Sequence, residues 1–204
     1  MWKATRITAD AAQKMQMNAG LLLNTFDISN PEEPKDEHII TETTGDYSIV
    51  CAPTTQDFFA DVNNAPTNTM EGKQITGWEC SMGLTALSIT EELLKLALGA
   101  SEGSAKTGIR GRRLYKTEDF KSLYWIGDMM DENKLFVVVM DNTVSTAGLS
   151  FTATNNGKGG VALTLMPHTS AKKQDEVPMA FYILEKVPTA AANAEPANNA
   201  EGGA

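Results

Sequence analysis

Apolar and polar positions alternate along most of this chain in short runs punctuated by Gly, Pro, Asn and Asp, a pattern of strands more than helices. The run Asn18–Asp27 opens the series. Leu21, Leu22 and Leu23 are bracketed by Asn18 and Gly20 on one side and by Asp27, Ser29, Asn30 and Pro31 on the other, which predicts a short buried strand. Asp27–Glu37 follows as an acidic, proline-containing loop. His38–Glu42 and Tyr47–Ala52 predict two strands separated by the turn signal Thr44-Gly45-Asp46, with Pro53 ending the second. Phe58, Phe59 and Val62 sit at near-helical spacing behind a possible Thr55 cap, so a short helix is expected within Thr54–Pro66. Gln74–Ser88 gives the clearest strand: Trp78, Cys80, Met82 and Leu84 alternate with Glu79, Ser81, Gly83 and Thr85.

One helix is well marked. Thr90 caps it, Glu91 and Glu92 favour the dipole in its first turn, and Gly99 stops it. Leu94 and Leu98 share one face, with Leu93 and Ala97 beside them. Ala100–Tyr115 reads as a Gly-, Ser- and Arg-rich loop. Strands are expected over Leu123–Gly127, Leu135–Asp141 and Met179–Glu185, and a hairpin joins Leu149–Thr154 to Val161–Pro167 through Asn155–Gly160. There Leu149, Phe151 and Ala153 should lie across from Val161, Leu163 and Leu165. The expected organisation is an irregular arm over 1–17, a mainly β domain over 18–188, built as a sandwich or barrel with one flanking α-helix, and a disordered Ala-, Asn-, Glu- and Gly-rich tail over 189–204.

Composition narrows the function. With 204 residues the chain can bury a sizeable core, and 42% hydrophobic content is that of a globular protein. No apolar run approaches the ~20 residues needed to span a bilayer, and Met1–Gln16 lacks the apolar core of a signal peptide, so folding in a cytoplasm without membrane partners is expected. The net charge of −9 and pI near 4.7 repel nucleic acid, which argues against a DNA-binding regulator. It suits a surface along which DNA slides without sticking. Cys51 and Cys80 lack CxxC spacing and read as buried free thiols in preference to a disulfide or a metal pair.

Candidate chemistry is thin. Gly99-Ala100-Ser101-Glu102-Gly103 matches the G-x-S-x-G of serine hydrolases, with His168 as a formal partner. That motif needs a strand before the serine and a helix after it, and here the helix comes first. Gly99, Gly103, Lys106 and Thr107 lack the spacing of a phosphate loop. His38 and His168 have no ligand-spaced neighbours, and Asp36/Glu37 and Asp175/Glu176 lie in polar loops. No catalysis, metal or cofactor is expected.

Charge is segregated, however. Lys106, Arg110, Arg112, Arg113 and Lys116 form the one basic cluster, five of the chain's 17 basic residues against 26 acidic ones. A solvated loop is the default for such a run. The sharper reading is a basic loop of one copy docking on an acidic surface of another, which would set register and orientation.

The run Asn18–Asp27 is similar to the opening strand of the major tail tube proteins of long-tailed bacteriophages. Further blocks follow in the same order. Cys51–Phe58 and Asn63–Pro66 resemble that family's turn into a short helix, and Trp78–Leu84 its long central strand. Tyr124–Asp128 resembles its W-x-G-D strand end, Asn142–Lys158 its N-x-x-S-T-x-G stretch, and Val177-Pro178 precedes the last strand as it does there. The likeness covers about residues 18–187 as short blocks whose order and spacing carry it. The acidic tail departs from it.

The resemblance implies a virion structural protein, assembled in the host cytoplasm, that forms hexameric rings stacked into a tail tube. Its partners would be other copies of itself, a tape-measure protein, and tail terminator or tip proteins, with DNA passing through the lumen without specific binding and no membrane partner. Contacts between subunits are then expected from the loop Ala100–Lys116 (Lys106, Arg110, Arg112, Arg113, Lys116), the loop Asp27–Glu37 (Asp36, Glu37), and the arm Met1–Met17 (Met15, Met17). Arg110, Arg112 and Arg113 are the sharpest of these. The competing readings are a secretion-tube or capsid decoration component of similar fold and, remotely, a hydrolase using Ser101.

Overall fold

A computed structural model describes residues 11, 13–15, 20–64, 66, 68–153 and 159–187. Most of the expected arm, Met17 included, and the expected tail lie outside the described residues. The strands are β1 (Leu21–Leu23), β2 (Ile39–Asp57), β3 (Lys73–Ala86), β4 (Ser101–Glu102), β5 (Arg110–Gly111), β6 (Lys121–Asp128), β7 (Lys134–Ser145), β8 (Ser150–Thr152), β9 (Gly160–Met166) and β10 (Met179–Glu185). A single α-helix, α1 (Glu91–Leu98), joins β3 to β4 among the described residues. The fold is mainly β with one helix, as the alternation predicts.

The large sheet runs β10-β7-β6-β1-β2-β3-β9-β8, entirely antiparallel, and the end of β7 also pairs with β9 through Val144↔Met166 and Ser145↔Leu165. That last pairing closes β7, β6, β1, β2, β3 and β9 into a barrel. β10 lies against the first part of β7, from Met140 back to Lys134, leaving the end of β7 free to turn onto β9.

Two apolar clusters fill the two faces of β1, β6 and β7. Leu22, Trp125, Val138 and Met140 face the main core with Met82, Leu84, Leu163 and Leu165. Leu23, Ile126, Val137 and Val139 face the other way, under Phe26 and Ile28 of the loop that follows β1. Burial on both faces explains why Leu135–Met140 is continuously apolar instead of alternating. Gly20 is required at the entry to β1, since a Cβ there would stand 2.0 Å from the Ile126 carbonyl oxygen. This close approach lets the Thr43 hydroxyl bond both backbone groups of Gly20, at 2.7 and 2.9 Å, and accept from the Trp125 indole at 3.4 Å.

Helix α1 ends as expected. The Thr90 hydroxyl accepts from Leu93 N at 3.1 Å, and Gly99 at φ 70° terminates the helix. Half of its expected apolar stripe is buried: Leu93 and Ala97 enter the main core together with Leu96, while Leu94 and Leu98 stay half-buried. The barrel wall meets the Leu93 and Ala97 side of that stripe.

Two expectations fail around β2. His38–Glu42 and Tyr47–Ala52 are not two strands but parts of one, because Thr44-Gly45-Asp46 is absorbed as an irregularity between Thr44↔Thr85 and Ser48↔Gly83. Gly45 adopts φ 70°, a conformation that serves a bulge as well as a reversal. Pro53 does not end the strand; it pairs opposite Trp78. β1 covers β2 only as far as Glu42. Beyond it the outer edge of β2 has no strand partner among the described residues, so a proline with its nitrogen outward forfeits no ladder bond.

The helix expected within Thr54–Pro66 is absent too. Thr54–Asp57 continues β2, and the described residues after it form turns. Asp57 organises them: one carboxylate oxygen accepts from Phe59 N at 3.0 Å and the other from Asn68 N at 3.1 Å. A helix here would have had no core to bury its apolar face, and short helices without packing do not persist.

Candidate assembly surfaces

Beyond the barrel wall, β2 and β3 continue as a two-stranded ribbon from about Val50/Ser81 out to Asp57/Lys73. Several large apolar side chains persist on it among polar ones after it leaves the core. Val50, Ile75 and Trp78 are exposed on the strands, and Phe58, Phe59, Val62 and Met70 around the turn, with Met70 at 82%. Both outermost strands of the sheet show the same character. On β10, Phe181 and Ile183 are exposed, the latter at 64%, with Phe181 stacked on Phe136 at 6.4 Å between ring centroids. On β8, all three residues are exposed, Phe151 among them.

The basic loop is folded back along α1 instead of standing free. Ser101 Oγ donates to the Lys95 carbonyl at 3.2 Å, and Ala105 N donates to the Glu91 carboxylate at 3.0 Å. β4 and β5 then pair Ser101 with Gly111 and Glu102 with Arg110. The five basic residues divide into two kinds. Arg112 turns inward: Nη2 donates to Asp119 at 2.5 Å, Nε donates to the Ser101 carbonyl at 2.9 Å, and the two charged side chains are only 11% and 8% exposed. It fastens the loop to Thr117–Asp119, a single 3-10 turn. Lys106, Arg110, Arg113 and Lys116 are exposed, with Lys116 3.3 Å from Glu118, and exposed Leu114 and Tyr115 lie among them.

In the acidic loop, Asp36 and Glu37 are exposed in a 3-10 turn, with the Glu37 carboxylate 3.6 Å from the His38 imidazole. The loop also has an internal role that its charge hides: Phe26 and Ile28 cap the second core, and the Pro31 carbonyl accepts from Val187 N at 3.1 Å. Met15 is exposed, and its carbonyl accepts from Met130 N at 2.9 Å in the β6–β7 turn, which ties that point of the arm to its own chain.

The remaining chemical candidates sit apart. Ser101 is occupied with Lys95 as described. His168 packs edge-on against Phe120 at 5.4 Å, with its Nδ1 buried and unpartnered. Among the described residues no group of three or more His, Cys, Asp or Glu side chains could hold a metal ion, and no helix is long and apolar enough to cross a membrane. The apolar ribbon and edges are not evident in the sequence, because alternation marks a strand without saying whether a neighbour covers it. Ile75 is the signal that could have shown it, an apolar residue standing opposite Thr55 where the facing stretch of β2 has turned polar. No family model matches the chain, and no curated protein matches it.

Proposed function

We propose that this protein is a self-assembling structural subunit of the tail tube type, forming hexameric rings that stack into a hollow conduit for DNA. The observation that carries this reading is the state of the two outermost strands. Solitary sheets blunt their edges with charge, proline or cover, because an open apolar edge invites another chain. β8 and β10 instead present Phe151, Phe181 and Ile183. The ribbon adds a second apolar surface directed away from the barrel, and the exposed basic residues supply a charge complement to an otherwise acidic chain. The ordered blocks shared with tail tube proteins support the same reading. Edge pairing between copies would build the ring, the ribbon and loops would join rings, and a net-negative tube would let phosphate pass without binding. A tape-measure protein in the lumen and terminator or tip proteins at the ends would complete the tail, and no cofactor or catalysis is involved.

Negative-stain imaging of the concentrated protein tests this. Long hollow tubes support it. Isolated rings would favour a secretion-tube or decoration component, and monomers at all concentrations would refute self-assembly.

A further inference from the structure

Cys51 and Cys80 are direct cross-strand partners on β2 and β3, and their Sγ atoms stand 3.1 Å apart. Both are free thiols. They occupy the base of the ribbon: the neighbouring pair on the same face, Ile49↔Met82, packs into the main core, and the next pair outward, Pro53↔Trp78, has already left it. Directly opposed residues of an antiparallel pair have Cα atoms about 4.5–5.5 Å apart, inside the range a disulfide spans. The sulfurs need close by only about 1 Å to reach bonding distance. We propose that Cys51 and Cys80 form a redox-closable pair, an intrachain cross-strand disulfide site that staples the root of the ribbon.

The two thiols differ in access, and this sets the order of events. Cys80 is buried, and burial together with the facing Cys51 thiol pushes its pKa up to about 12. Cys51 is half-buried and reachable. With a small-molecule disulfide such as oxidised glutathione as oxidant, the Cys51 thiolate attacks one glutathione sulfur, forming a mixed disulfide and releasing one glutathione thiolate. Cys80 then gives up its proton and attacks the Cys51 sulfur, releasing the second glutathione. Two protein thiols are oxidised to one disulfide, and one glutathione disulfide is reduced to two thiols. The product closes the whole ribbon, residues 51–80, into a covalent loop whose register can no longer slip. A slip by one residue would put the two sulfurs on opposite faces, so the chemistry also reads the register.

The test uses the full chain under native conditions. It is incubated with oxidised glutathione, quenched with an alkylating reagent, and analysed by intact mass and non-reducing peptide mapping. The expected product is an unalkylated chain about 2 Da lighter than the reduced one, carrying a Cys51–Cys80 peptide link that dithiothreitol reverses. Its thermal midpoint should rise by several degrees, and the rise should vanish in Cys51→Ser. Cys80→Ser should stop at a stable glutathione adduct on Cys51. Retention of both thiols while a reference dithiol is oxidised would overturn the proposal. So would a persistent glutathione adduct on the wild-type chain, or interchain dimers as the main product.

Discussion

The division of the basic loop into an inward and an outward set yields the most discriminating experiment. Arg112→Ala removes one partner of a nearly buried ion pair, and one-sided removals of that kind cost about 3–5 kcal/mol. The lower end applies here, since Asp119 still accepts from Lys116 N at 2.7 Å and the pair sits at the base of a loop. For a chain of this size about 3 kcal/mol lowers the thermal midpoint by roughly 6–12 °C. Arg110→Glu with Arg113→Glu touches two exposed side chains, so stability should change by less than about 1 kcal/mol in total.

Assembly should respond in the opposite sense. If the outward arginines meet acidic groups of another copy, each reversal loses an attraction of about 0.2–1 kcal/mol and adds a comparable repulsion. Two reversals then weaken each contact by about 1–4 kcal/mol, at least several-fold in the concentration at which tubes appear. Because exposed charges are screened, high salt should narrow the difference. Differential scanning fluorimetry reads the first effect, and light scattering with electron microscopy at low and high salt reads the second. An unshifted melting midpoint in Arg112→Ala would refute the latch. Tubes of normal length at the wild-type threshold from the Arg110/Arg113 double variant would refute the docking role.

Three further outcomes are expected. Ile183→Lys with Phe151→Lys should leave the melting midpoint within a few degrees, because both side chains are exposed; sedimentation should show assembly lost, and intact assembly would remove the edge strands from the interface. Gly20→Ala should destabilise the fold by at least about 2 kcal/mol, read as a lower urea midpoint, because its Cβ would stand 2.0 Å from the Ile126 carbonyl oxygen. The carboxyls of Glu42, Glu91 and Asp131 are held below their ordinary range, chiefly by hydrogen bonds from Ser88, Lys95 and Lys134 respectively. A carboxyl lowered in the folded state contributes stability above its unfolded pKa and loses it as pH falls through the folded value, so acid unfolding should begin below about pH 4.5. Ser88→Ala should move the acid midpoint upward by circular dichroism, and a midpoint unchanged or lower would contradict the Glu42 bond.

What the sequence reveals depends on how local the deciding interaction is. Thr90 and Gly99 mark both ends of α1 because capping involves residues three or four apart. Strand β7 is legible for a similar reason: most residues along Leu135–Met140 are buried, so the run is apolar throughout. Gly45 misleads because the same positive φ suits a hairpin turn and a bulge, and only the partner strand β3, whose Thr85 and Gly83 flank the irregularity, decides between them. Phe58, Phe59 and Val62 carry helical spacing, but a helix there would need a surface to lie on. Arg112 is indistinguishable from Arg110 and Arg113 by composition. Its role depends on Asp119, seven residues away, and on the carbonyl of Ser101 across the β4–β5 pair.

The placement of the apolar surplus carries the functional argument further than its amount does. Both faces of β1, β6 and β7 are already filled by Trp125, Val138, Val137 and their neighbours, so the core makes no demand on Ile183, Phe151 or Trp78. Polar residues at those positions would leave the monomer as stable and more soluble, since exposed strand positions tolerate substitution. Their apolar character therefore fits the proposed contacts with other copies of the chain. The two sheet edges left without a partner strand among the described residues are also unlike each other: β8 offers a short strand beside β9, and β10 a longer one beside β7. Pairing between unlike edges is head-to-tail, and head-to-tail contacts close into rings or run on as filaments according to the rotation between copies. A two-fold dimer would need one edge to match itself and would leave the other exposed. A ring uses both, which is why edge substitutions on β8 alone and on β10 alone should abolish the same assembly.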